Sequence, residues 1–249
     1  MILPMALTMA FLAADVKPDV QWYRVMLGDK DGGWHLVGYQ KAEFVAEGAS
    51  FRYVESTLVN IADVRQDQVG DYAFGADLAP VSLDRVTKLG DVGEQVSRTV
   101  KGRVSDGKLY VSDSQKSSGE TELAMPAGLI SQGTVLFLYG GLEEGKAREF
   151  CTYSPRSMRV AKGTATRKGE VEAKDGEEDV KAWRIEETTD EAATLAITVA
   201  YLPPGEGRPN GRVLWREMKD ASTDRKKWTP PMRYEACPAD EGEGWVEDH

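Results

Sequence analysis

The chain has 249 residues, 41% of them hydrophobic and 29% charged, with 25 glycines and a formal net charge of -10. That hydrophobic content is too high for a disordered chain, so a sizeable core is expected, and the length suits a single large all-β domain. The acidic balance argues against nucleic acid or an anionic membrane surface as the main partner, because both need a basic footprint.

The first fourteen residues carry no charge and end in the small residues Ala13-Ala14. The run is too short to span a bilayer, which takes about 20 apolar residues in a helix. It reads as a secretory signal peptide over residues 1–14, which places the mature protein in the periplasm or outside the cell. No second apolar run of spanning length follows, so no transmembrane segment is expected. The two cysteines, Cys151 and Cys237, are able to pair in an oxidising compartment, but the sequence does not put them within bonding distance and the question stays open.

From Trp22 the pattern turns to period-2 alternation rich in aromatic and β-branched residues, the mark of strands. Trp22–Gly28 and Trp34–Val45 flank a glycine-rich turn, and Phe51–Ile61 forms a long third strand. The first and third are apolar on both faces, which implies cover on both sides or an inner face lining an apolar space. Leu78–Leu83 contains Pro80 and implies an edge or a bend. Val96–Arg103 and Leu109–Val111 make a hairpin with one wet face about Asp106-Gly107, a dipeptide that tolerates the positive φ of a two-residue loop.

Pro126–Leu142 breaks the alternation. Leu129, Ile130, Leu136 and Phe137 share one helical face while Val135, Leu138, Tyr139 and Leu142 fill much of the other, so a buried helix is favoured over a buried strand at Thr134–Tyr139. Strands resume at Ala147–Tyr153, Met158–Ala173, Val180–Glu187, Leu195–Tyr201 and Arg212–Met218, with a loop over residues 203–211. The pattern gives one β domain over residues 15–218 and an acidic, loosely ordered tail over 219–249.

Catalytic and metal motifs are sparse. The only histidines are His35 and His249, too few for a zinc hydrolase or a His-activated nucleophile. Glu120 with Glu122, and Glu177-Glu178-Asp179, read as solvated faces because no calcium-ligand spacing accompanies them. Arg225-Lys226-Lys227-Trp228 reads as a surface loop. No cofactor and no metal are expected.

The ordered series Trp22-Tyr23-x-Val25, Val37-Gly38-Tyr39, Asp77-Leu78-x-Pro80-x-Ser82, Gly107-Lys108-Leu109 and the Pro126 segment followed by Gly145-Lys146 resembles an uncharacterised family of secreted bacterial proteins. That family shares the half-barrel fold of the lipoprotein-carrier proteins LolA and LolB. The likeness runs over most of Trp22 to Tyr201, although the Asp31–His35 turn is longer than usual and no lipid-attachment cysteine follows the signal. It implies one strongly curved antiparallel sheet wrapped around one or two helical segments, with no catalytic residues to carry over. The function expected is non-enzymatic binding of an apolar ligand, a lipid or acyl chain, lined by Trp22, Tyr39, Tyr53, Leu136 and Tyr139. The alternatives are an envelope interaction module with a filled core, and a hydrolase using two inward carboxylates.

Overall fold

The computed structural model describes residues 16–75, 79–90, 95–117, 119–126, 129–130, 134–154, 158–190, 195–220 and 229–248. The expected signal peptide, the basic cluster at 225–228 and His249 lie outside them. Among the described residues, fifteen strands form one sheet. The first eight run outward in chain order: β1 (Asp19–Gly28), β2 (Trp34–Glu47), β3 (Ser50–Ile61), β4 (Val64–Phe74), β5 (Pro80–Leu89), β6 (Val96–Ser105), β7 (Lys108–Asp113) and β8 (Thr121–Ala124). The chain then crosses to the opposite edge at β9 (Leu129–Ile130) and helix α1 (Val135–Tyr139). It returns through β10 (Ala147–Ser154), β11 (Arg159–Asp175), β12 (Glu178–Thr189), β13 (Leu195–Leu202), β14 (Arg212–Asp220) and β15 (Met232–Cys237), and ends in α2 (Ala239–Asp248). Neighbours are antiparallel throughout except for the short β9–β10 pair.

The turns explain why the meander is tight. Ala62 and Asp63 join β3 to β4 with φ of 51° and 63°, and Asp106-Gly107 joins β6 to β7 with φ of 52° and 71°. Two consecutive positive φ values give the turn twist that matches flanking strands. Pro80 opens β5, where no ladder donor is lost at the strand start, and the β4–β5 register slips beside it between Ala73 and Phe74. The bend implied by Pro80 is present, but β5 lies well inside the sheet.

The sheet curls on itself. Tyr23 of β1, Leu83 of β5, Leu109 of β7, Phe150 of β10 and Val199 of β13 belong to one buried cluster, which a flat sheet of this width could not assemble. β8 approaches β11 without pairing, so the barrel stays open along a seam.

Two readings from the sequence are corrected. Within the expected tail, residues 229–248 are not loose, for Met232–Cys237 pairs with both β1 and β14 and joins the two halves of the sheet, while α2 packs on β1 and β2. The alternation Met232-Arg233-Tyr234-Glu235-Ala236-Cys237 is a strand signature masked by the acidic and proline-bearing residues around it. Pro126–Leu142 is not one helix either: Val135–Tyr139 is helical and Leu129–Ile130 is a strand. Val135, Leu136, Phe137 and Tyr139 are nonetheless buried together as an all-round apolar helix requires.

The two-sided apolarity of β1 also has its cause. Tyr23 and Val25 are buried on the inner face, whereas Trp22 packs on the outer face with Tyr39, Cys237 and Trp245 of α2. Tyr39 and Trp245 meet with ring centroids 5.3 Å apart.

Candidate functional site

The interior has two zones. One is an aromatic plug centred on α1. Phe137 stands edge-on to Phe44 at 5.6 Å and to Phe51 at 5.8 Å, and Phe51 stacks on Phe74 at 4.8 Å. Tyr139 meets Tyr201 edge-on at 5.4 Å. The apolar space left at the seam, between Tyr72, Phe74, Leu83, Leu109, Leu129 and Tyr153, is about 30 Å³.

The other zone is a polar lumen. Register places Glu55 of β3 level with Ala42, and Arg85 of β5 opposite Gly70. Arg216 of β14 is opposite both Tyr234 and Val199. Arg85 and Arg216 are six strands apart, about 29 Å along a flat sheet at roughly 4.8 Å per strand. Yet both guanidiniums act on Glu55 and on Tyr234. The curl therefore brings β3, β5, β14 and β15 around one shared space. Glu55, Arg85, Arg216 and Tyr234 are only half-buried although they face inward, so water reaches this end of the interior.

The hydrogen bonds in this zone are graded by depth. Tyr72 Oη donates to Glu55 Oε1 at 3.2 Å, and Tyr53 Oη lies 3.5 Å from Glu55 Oε2. Arg85 donates to Gln68 Oε1. Gln40 Nε2 donates to Thr57 Oγ1 at 3.1 Å. Deeper, Glu187 is 2% exposed and accepts from Tyr139 Oη and, at 3.1 Å, from Arg216. Arg216 Nε is buried without an acceptor in the protein. Burial raises the pKa of Glu55, opposed first by Arg85, and raises that of Glu187, opposed by Arg216. Beside them, Asp113 is held low by its hydrogen bonds from Arg98, at 2.8 and 3.2 Å. Beyond the polar ring the inward rows end in Val64, Leu89 and Val96, which are exposed and form an apolar rim.

The five residues expected to line a ligand do not form one wall. Tyr53 faces the lumen, and Leu136 and Tyr139 belong to the plug. Trp22 and Tyr39 point to the opposite face beneath α2, where Tyr39 Oη donates to Glu241 Oε1 at 2.6 Å. Strand parity separates them, since Tyr23 and Gln40 are the paired inward neighbours. Cys151 and Cys237 are both free. They stand on β10 and β15, five strands apart in the sheet. His35 is exposed and pairs with Asp29 at 2.9 Å. Glu120 and Glu122 form exposed ion pairs with Arg103 and Lys108.

Glu55 and Glu187 escaped the sequence reading, and their signal was available as inward parity on a strand. Burial moves both carboxyls upward from their ordinary value. Glu187 is also sealed by Tyr139 and Arg216 from any substrate.

No helix among the described residues is long and apolar enough to cross a membrane. The class of fold is mainly β: one large, almost wholly antiparallel sheet, curled but not closed, with two short helices. No family model and no curated protein matches the sequence. Among solved structures the chain is similar to a β-barrel-like protein of the domain of unknown function DUF1849 from Brucella abortus. The TM-score is 0.61 at 17% identity, over 88% of this chain and 95% of that one. That likeness shows a shared fold.

Proposed function

We propose that the protein works outside the cytoplasm as a non-enzymatic interaction module of the envelope, with the apolar end of its barrel filled by its own side chains. One observation carries this reading over lipid carriage: α1 is buried in the apolar zone, and the apolar pocket at the seam between Tyr72, Leu83, Leu109, Leu129 and Tyr153 is only about 30 Å³. A pocket for a lipid-sized ligand is about 300–1,000 Å³. The exposed cross-strand pair Leu89 and Val96 on the inward rows is compatible with a contact to a protein partner at the mouth of the lumen.

The test is chemical. The full chain, purified from its native envelope, is extracted with organic solvent, and the extract is examined by mass spectrometry. Intact protein is titrated in parallel with a fluorescent fatty acid. The expected result is no stoichiometric lipid and no saturable uptake. A lipid recovered at one per chain would restore the carrier reading.

A further inference from the structure

Glu55, Gly70 and Arg85 stand side by side in one inward row across β3, β4 and β5. From across the lumen, the charges of Glu55 and Arg85 both act on Tyr234 of β15. Opposite charges that share a low-dielectric space ordinarily close into an ion pair. Among the described residues, none forms between these two.

Their neighbours hold them apart. Gly70 has no side chain, and the ring of Tyr72 lies over it instead: a Cβ built there would meet Tyr72 Cε2 at 2.7 Å and Oη at 2.9 Å. That hydroxyl donates to Glu55 Oε1 at 3.2 Å, which fixes the carboxylate on its own side of the row. Arg85 leans toward the next row, where its Nη2 donates to Gln68 Oε1. Each charge is thus steadied by a neutral partner. The remaining charges of this zone are matched already. Arg98 holds Asp113 through two hydrogen bonds, and Arg216 is paired with Glu187. One cation and one anion are left without a counter-ion in contact, and both have capacity to spare. Nε and Nη1 of Arg85 find no partner in the protein and are not buried, so a solute in the lumen reaches them. The same is true of Gln68 Nε2 and Tyr234 Oη. A carboxylate offers about four lone-pair directions, of which Tyr72 and Tyr53 take at most two on Glu55.

A lone anion entering this space is drawn to Arg85 but repelled by Glu55, and a lone cation meets the reverse. A guest bearing both charges is opposed by neither. We propose that the polar lumen binds a small zwitterion of the free α-amino acid kind, its carboxylate on Arg85 and its ammonium on Glu55. No ion pair has to break before such a guest enters, so the site is preorganised for it. The guest needs none of the apolar space that α1 fills, and its binding stands or falls apart from the lipid test above.

The test uses the full chain labelled with nitrogen-15, titrated at constant ionic strength with alanine and, in separate arms, with its two halves, propionate and ethylammonium. The Arg85 Nε–H signal is identified by its loss in Arg85→Met. Alanine is expected to shift that signal saturably and to bind about tenfold tighter than either half, which lacks one charge-assisted hydrogen bond. Glu55→Gln keeps the shape of the side chain and removes its charge, so alanine should then bind no better than propionate. The proposal is overturned if alanine leaves the parent signal unmoved in millimolar excess, or if propionate binds the parent as tightly as alanine does. It is overturned equally if a folded Glu55→Gln chain keeps the preference for alanine. The arms on the parent chain decide the matter by themselves should that variant fail to fold.

Discussion

The two ends of the interior solve the same problem in opposite ways. Around α1 the strands bring Phe44, Phe51, Phe74 and Phe137 together, and the space is closed by shape alone. At the other end Glu55, Gln68, Arg85, Arg216 and Tyr234 keep the space polar and partly wet, stabilised by pairing rather than by contact area. A sheet this wide encloses more volume than its side chains fill when curled. Packing can fill only part of it, and charged groups of both signs line the remainder without collapsing.

The largest effect should come from the plug. Phe137→Ala removes a buried ring set edge-on to two others and is expected to cost about 3–5 kcal/mol in denaturant unfolding. A cost below about 1 kcal/mol would show that the plug is not what holds the curl. In the polar zone, Arg216→Met leaves Glu187 buried without its cation. The expected loss is about 2–3 kcal/mol, below the full cost of a sealed ion because the Arg216 side chain is 23% exposed. The double variant Arg216→Met with Glu187→Leu should recover part of that loss. Failure to recover any of it would place the Arg216 contribution in packing instead.

The smallest effect is a slope. Glu55 and Glu187 start from ordinary carboxylate values of 4.5 and are raised in the folded state. Between 4.5 and the raised values the folded chain holds more protons than the unfolded one, so these groups make stability fall as pH rises through that window. Asp113 and Glu241, held low by Arg98 and Arg24, act in the reverse sense and lose their contribution as pH falls toward their folded values. Glu55→Gln should therefore flatten the decline of stability above pH 4.5. Parallel curves for variant and parent would mean that water in the lumen solvates Glu55 as well as bulk solvent does.

The plug and most strands were legible in the sequence because they obey hydrophobic periodicity. The polar zone was not, for a reason that lies in its own residues. Strand β4 turns Gln66, Gln68 and Gly70 inward opposite Leu89, Thr87 and Arg85, so the middle of its inner row, between Val64 and Tyr72, carries no apolar signal and the strand went unread. Glu55 was passed over in the same way, as a polar interruption within a long apolar run. Trp22 and Tyr39 were read as lining because large aromatics suggest a cavity, whereas parity alone sends them to the other side of the sheet. Helix α2, with Gly242 and Gly244 and an acidic first turn, has little intrinsic helix propensity. Its docking through Trp245 and the Arg24–Glu241 pair, a tertiary contact that sequence periodicity cannot show, holds it in place.

The placement of β15 sets a constraint on how the molecule is made. It is the seam strip between β1 and β14, yet it follows every one of its sheet neighbours in sequence. Until a growing chain has been extended through Cys237, β1 and β14 each present an unpaired edge, and such edges invite pairing with other chains. The β1–β15 ladder also joins residues more than two hundred positions apart, a closure that slows folding. Synthesis at about 5–20 residues per second leaves those edges open for many seconds.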